Sequence, residues 1–353
     1  MGLMGMLGLG DDEKSNISRF EKGYLPCGKC RKKLPIKDYE PLSLVHCPKC
    51  NDLNLIPLKL DKWWTYKPIG GGGMGAVYQA RHADDPNITG AVKVLQSHEV
   101  RQTIVEMLLE EAKIGYKFGD HKNLAQVYAY GKQDDKVYMV MEMVEGIRLD
   151  HVINSGSVFN LELALYYAFD ILVGLQHMYL TGYLYRDLKP ENLIVSPENR
   201  IVMVDYGLCM ELMEAWQFSG DEIMGSPLYM PPERIKGQGE DLRADMYSLG
   251  MVLYHLIKGQ PYFSATDIMN IVKSQIKNVR IQTKSKMSGI PEDVQKLVDT
   301  MIRIDRDERY GSYTEIMVAL YHILEEMKKN SSKDPKVLER RKNLSKLKIH
   351  LEQ

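Results

Sequence analysis

Four cysteines near the start of the chain impose the tightest constraint on how it folds. YLPCGKC and LVHCPKC place Cys27 and Cys30, then Cys47 and Cys50, in two Cys-x-x-Cys knuckles separated by sixteen residues. Each knuckle, with Gly28 or Pro48 at its bend, presents two thiolates to one ion, and two knuckles complete a tetrahedral zinc site. Lys29 and Lys49 lie inside the knuckles and offset the charge of four thiolates. Such an ion contributes on the order of 10 kcal/mol of apparent binding free energy, enough to fold a segment too small for a core of its own. Two disulfides would be the competing use, but no secretion signal is recognisable. A redox Cys-x-x-Cys needs a βαβ setting that is missing here. His46 adjoins Cys47, yet the four cysteines already close the site.

Downstream, WWTYKPIGGGGMGAVYQARH contains Gly70, Gly72 and Gly75 in a GxGxxG pattern followed by Val77. Only glycine lets a backbone lie this close to phosphates. The glycines lead into the β-prone VYQA rather than a helix, which argues against a dinucleotide-binding loop. In AVKVL, Lys93 is a single charge inside an apolar strand and needs an anion. The helical spacing of VEMLLEEAKIGYKF offers Glu111, with Glu110 as the adjacent competitor. Further on, YRDLKPENLIV and IVMVDYG place Asp187, Lys189, Asn192 and Asp205 within twenty residues of one another. Two acids, an amide and a lysine at this spacing suit a reaction that aligns a hydroxyl with a phosphate and holds a hard cation.

The order and spacing of these elements, from about Trp63 to Met327, resemble those of the eukaryotic-like serine/threonine protein kinases. The resemblance implies a two-lobed α+β fold, a small β-rich lobe before a larger helical one, with ATP and Mg2+ in the cleft. It implies that Asp187 orients the substrate hydroxyl, that Lys189 steadies the γ-phosphate, and that Asn192 and Asp205 hold magnesium. Lys93, paired with Glu111, would hold the ATP phosphates. Ile69 and Val77 would pack on the adenine under the lid formed by Gly70, Gly72 and Gly75. VYMVMEMVEG resembles the last strand and hinge, with Met141 as gatekeeper and backbone groups of Glu142 and Val144 facing the adenine. GSPLYMPPERI resembles the substrate-binding loop, and Glu233 would pair with Arg309. Asp245 would open the long buried helix DLRADMYSLGMVLYHLIKG.

Tyr185, Tyr206 and Pro231 depart from the commonest residues at their positions, and none removes a reacting group. A buried tyrosine hydroxyl will need a partner. Lys189 in DLKPEN and Ser226 in GSP follow the serine/threonine pattern, and GGGGMGAVY with GSPLYMPPE looks most like the bacterial members. Arg186, beside the catalytic acid, is expected to pair with a phosphate on the activation segment, with Ser219 as the candidate phosphosite. Cys209 is expected to be a packing residue. A non-catalytic ATP-binding scaffold is the competing reading, but Lys93, Glu111, Asp187, Asn192 and Asp205, whose loss marks such pseudokinases, are all present. The PPE segment argues against small-molecule substrates.

The expected layout is a disordered tail over 1–22, a zinc ribbon over 23–60, a kinase domain over 61–328 (lobes about 61–145 and 146–328), and a basic tail over 329–353. MGLMGMLGLG is too short to span a membrane, and no later stretch is apolar enough. Few cysteines outside the ribbon fit a reducing cytoplasm. A net charge of −1 argues against a nucleic-acid surface. The expected partners are protein substrates with Ser or Thr. The ribbon is open between partner binding, bracing and substrate presentation. In the tail, Pro335 starts a helix with Val337, Leu344, Leu347 and Leu351 near heptad spacing. That helix is suited to a partner or an anionic surface, or else packs back on the helical lobe.

Overall fold

The computed structural model describes residues 13–72, 75–96, 101–155, 159–219, 225–263 and 286–342. Two compact units emerge, one comprising residues 1–119 with 125–143 and the other 120–124 with 144–353.

The first unit opens with helix α1 (Glu13–Glu21), then the hairpins β1 (Tyr24–Pro26) with β2 (Lys33–Pro35) and β3 (Leu44–His46) with β4 (Leu53–Leu55). A knuckle sits at the turn of each hairpin. Next come β5 (Leu58–Leu60), β6 (Trp63–Gly72), β7 (Gly75–His82), β8 (Thr89–Gln96), α2 (Gln102–Phe118), β9 (Val127–Gln133) and β10 (Lys136–Glu142). These strands form one antiparallel sheet in the order β5-β6-β7-β8-β10-β9.

Adjacent residues of a strand point to opposite faces, and the Trp63-Trp64 pair uses both. Trp63 packs with Leu60, Ala80, Val92, Val94, Tyr138 and Val140 in the core of the sheet. Trp64 packs with Ile17, Phe20, Leu25, Leu34, Ile56 and Tyr66, together with Cys27 and Cys47. The ribbon is thus braced on β6 by a shared apolar core. The expected tail over 1–22 is corrected here. Residues 13–21 are helical because Ile17 and Phe20, three apart and on one helix face, are buried in that core. Glu21 accepts from Trp64 Nε1 and Lys59 Nζ, both at 2.7 Å. Residues 1–12 lie outside the described residues.

The second unit contains β11 (Ile147–Arg148), α3 (Leu149–Asn154), α4 (Leu161–Leu180), β12 (Tyr183–Leu184), a 3-10 turn (Pro190–Asn192), β13 (Leu193–Val195) and β14 (Ile201–Met203). These are followed by β15 (Met210–Glu211), α5 (Leu212–Gln217), α6 (Pro232–Ile235), α7 (Leu242–Lys258), α8 (Glu292–Met301), α9 (Tyr313–Lys328) and α10 (Pro335–Lys342). Helix α4 is apolar nearly all round, as a helix packed on several sides must be, and it touches α7, α9, α10, β12 and β14. Its Asn160 cap accepts from Leu163 N. Helix α7 starts at Leu242 with Asp241 as its cap, so Asp245 lies in its first turn rather than opening it. Gly259, at φ 68°, ends it.

The basic tail packs back along residues 335–342. Val337 is buried, Arg340 makes a two-pronged bond to Asp170 at 2.8 and 2.9 Å, and Arg341 holds Glu162 at 2.7 Å through two nitrogens. Leu344, Leu347 and Leu351 lie outside the described residues.

Candidate active site and metal centre

The four cysteine sulfurs lie within 4.8 Å of one another, and the Cys27–Cys50 and Cys30–Cys47 pairs stand at 3.6 Å. A tetrahedron of Zn–S bonds about 2.3 Å long has edges of about 3.8 Å, so the set fits zinc in both chemistry and spacing. The knuckles are built alike. Arg31 N donates to Cys27 O and Asn51 N to Cys47 O, and Arg31 and Asn51 each adopt φ 60°. Burial alone would raise the Cys47 thiol, but the Lys49 and Cys50 N–H groups outweigh it and draw it down to about 6. The Asp52 N–H favours the Cys50 thiolate, yet burial and the three other sulfurs push that thiol up to about 12. Crowded thiols of this kind lose their protons together only to a shared cation.

Buried Asn54 lies beneath the site. It accepts from Gly28 N at 3.0 Å and turns its Nδ2 towards Cys27 Sγ at 3.7 Å. Nothing in the cysteine spacing pointed to Asn54. His46 is exposed, with Nδ1 3.0 Å from Asn51 O.

In the first unit, Gly70 stands opposite Val77 in the β6–β7 register, and Gly72 opposite Gly75. Ile69 and Val77 are half-buried. Lys93 on β8 faces Val77 and Met139 in register, on the face opposite Val92 and Val94. Its Nζ lies 2.8 Å from Glu111 Oε2 on α2, with both side chains largely buried. Glu110 points outward to Lys113, so the helix phase selects Glu111 from the two adjacent acids. Glu142 N donates to Gln126 O and Glu142 Oε2 accepts from Gln126 N, which fixes the end of β10.

Val144 belongs to the second unit. There, Asp187 Oδ2 accepts from Lys189 Nζ at 2.6 Å and from Asn192 Nδ2 at 2.8 Å. The Asn192 amide nitrogen faces Asp187, so its oxygen faces away. Asp205 is exposed at φ 69° and accepts from Gly207 N. A carboxylate and a carboxamide oxygen are the hard donors that magnesium takes.

Tyr185 is fully buried, and its hydroxyl donates to Val204 O at 2.7 Å, so the ring replaces histidine without leaving an orphaned group. Burial, reinforced by the nearby Asp205 and Asp187, pushes this phenol well above its usual range. Tyr206 is buried, and Cys209 is half-buried with its N donating to Tyr206 O. Asp245 accepts from Tyr185 N and Arg186 N at 2.9 and 2.8 Å, and burial raises its carboxyl to about 6 against these two donors. Arg309 makes a two-pronged bond to Glu233 at 2.7 and 2.9 Å, both buried.

A family model of the protein kinase domain matches residues 63–322. This chain belongs to the protein kinase family. The kinase is 31% identical over 242 residues to a RAC family serine/threonine-protein kinase homolog of Dictyostelium discoideum, covering 68% of this chain and 53% of that protein. It is likewise 31% identical over 270 residues to a probable serine/threonine-protein kinase of Clostridium perfringens, covering 76% and 38%. A probable serine/threonine-protein kinase of Lactococcus lactis is 27% identical over 256 residues, covering 72% and 40%. The chain thus spans about half or less of the length of these curated relatives.

Arg186 is buried against Glu240, with Nε and Nη2 donating to Glu240 Oε1 at 3.1 and 2.7 Å. Its partner here is an internal carboxylate, Glu240, from the segment between α6 and α7. Ser219 is exposed beyond Phe218. Among the described residues, no helix is long and apolar enough to cross a membrane.

Proposed function

We propose that this kinase transfers the γ-phosphoryl group of ATP to serine or threonine hydroxyls of proteins. The observation that carries the reading is the Asp187 carboxylate held between Lys189 and Asn192. That arrangement leaves one oxygen of Asp187 to orient a hydroxyl, and brings the Lys189 ammonium to the same place to meet phosphate charge. In this reading Lys93, aligned by Glu111, binds the ATP phosphates, and Gly70, Gly72, Gly75 and Val77 cover them. Magnesium, when bound, would neutralise the phosphate oxygens, and Asn192 with Asp205 would hold it. Ile69, Val77, Glu142 and Val144 take the adenine. Catalysis is then positioning and charge stabilisation rather than covalent chemistry.

The serine/threonine preference is supported by Lys189 in DLKPEN and by the serine/threonine kinases to which the chain is similar. We assign the ribbon to 23–60 with a structural zinc, the kinase domain to 61–328, and the chain to the cytoplasm, where free thiols persist.

The test is phosphate incorporation from labelled Mg-ATP into the protein and a generic basic protein substrate, beside Asp187→Asn and with phosphoamino-acid analysis. Label on serine or threonine that vanishes in the variant is the expected result. A folded, zinc-loaded wild type that binds ATP and transfers nothing would favour a non-catalytic scaffold.

A further inference from the structure

Glu240 is fully buried between two guanidinium groups. Besides Arg186, Arg234 of α6 grips it, with Nε donating to both carboxylate oxygens at 3.0 Å and Nη2 to Oε2 at 2.5 Å. The remaining Arg234 nitrogen, Nη1, donates to the backbone oxygen of Arg186. Three backbone groups just before Asp187 are therefore held. Asp245 takes the N–H groups of Tyr185 and Arg186, and Arg234 takes the carbonyl of Arg186. This matters because Arg186 sits at φ 69°, a conformation that a side-chain-bearing residue keeps only when its surroundings impose it.

Glu240 and Arg186 also touch the segment after Gly207. Glu240 N donates to Ala215 O at 2.8 Å at the end of α5, the Arg186 guanidinium lies over the Phe218 ring at 5.4 Å, and its Nη1 reaches Met210 Sδ at 3.2 Å. Gly239 makes the approach feasible, because a Cβ there would stand 1.9 Å from Trp216 O. Burial alone would raise the Glu240 carboxyl, but Arg234 and Arg186 outweigh it and hold it below the ordinary carboxylate range. It is therefore ionised at neutral pH.

Resting on the kinase reading above, we propose that Glu240 and Arg234 form a built-in positioning pair for Asp187, supplying Arg186 internally with the anion that a phosphorylated activation segment would otherwise bring. Two consequences separate this arrangement from a phosphate-gated one. The catalytic loop is ordered in unmodified protein, and removing the internal anion creates a need for an external one.

The experiment compares wild type, Glu240→Asp and Glu240→Ala, each stripped of phosphate by a phosphatase and checked by intact mass. For each, kcat and KM for ATP are measured with and without added formate, alongside melting temperature and amide exchange over residues 185–192. Wild type is expected to keep its kcat without phosphate. Glu240→Ala is expected to lose about ten- to a hundredfold in kcat with KM for ATP nearly unchanged. Formate entering the vacated space should recover part of the loss, and Glu240→Asp should fall between the two. Collapse of wild-type kcat on dephosphorylation would overturn the proposal. So would joint loss of kcat, ATP binding and melting temperature in Glu240→Ala without response to formate. If wild type transfers no phosphate at all, the kinase reading itself fails, and exchange over 185–192 decides the positioning role alone. Faster exchange in Glu240→Ala, slowed by formate, supports it; equal exchange overturns it.

Discussion

The zinc ribbon and helix α10 lie towards opposite ends of the chain, and each is fastened within its own unit by different forces. The ribbon is joined to β6 by an apolar cluster in which Phe20 and Trp64 sit with ring centroids 5.5 Å apart, and its ion pair, Lys59 with Glu21, is half exposed. Helix α10 is held by Arg340 on Asp170 and Arg341 on Glu162, all four side chains largely buried. Apolar contact is spread over many atoms and weakens in proportion to what is removed. A buried ion pair adds little net stability while intact, but losing one member strands the other charge. The ribbon should therefore respond to its metal and to bulk, and α10 to single charges.

The largest effect should come from the metal. Chelating zinc, or Cys47→Ser, removes a contribution on the order of 10 kcal/mol from the ribbon, and uncovers Trp64. A red shift of tryptophan emission in step with zinc release is expected; emission indifferent to chelator would break the ribbon's side of the comparison. Next, Arg340→Ala should cost roughly 3–5 kcal/mol by leaving Asp170 unpaired. Arg340→Met combined with Asp170→Leu should cost less than the single change, as read from urea midpoints, although Asp170 also accepts from Ile201 N. A double variant worse than the single one would show that α10 is not governed by stranded charge. Leu34→Ala should cost about 2–5 kcal/mol through the cavity it opens, with no change at α10 by local amide exchange. Smallest of all, Lys59→Ala should alter stability by less than about 1 kcal/mol, and a larger loss would mean that the ribbon leans on charge as well.

Legibility in the sequence followed the distance over which each interaction operates. The knuckles were readable because two cysteines three apart carry their own geometry. Asp187, Lys189 and Asn192 were readable for the same reason, since six residues contain the whole arrangement. Lys93 announced a need for an anion, but choosing between Glu110 and Glu111 required the phase of α2, which the fold supplies. Glu240 was invisible because its partners, Arg186 and Arg234, come from separate segments and nothing local distinguishes it from a surface acid. Helix α1 was missed because Ile17 and Phe20 are too few to mark an amphipathic stripe until Trp64 is known to lie across from them. Asn54 likewise gains its meaning only when the second hairpin brings it under Cys27.

Gly239 carries no functional group, yet its missing side chain sets the route of the segment that follows Asp205–Gly207. With the Trp216 carbonyl occupying the volume a methyl would need, any residue other than glycine must push α5 off the loop that bears Glu240. Position 239 is thus a constraint on the whole route: with a side chain there, Glu240 could not come to Arg186 along this path.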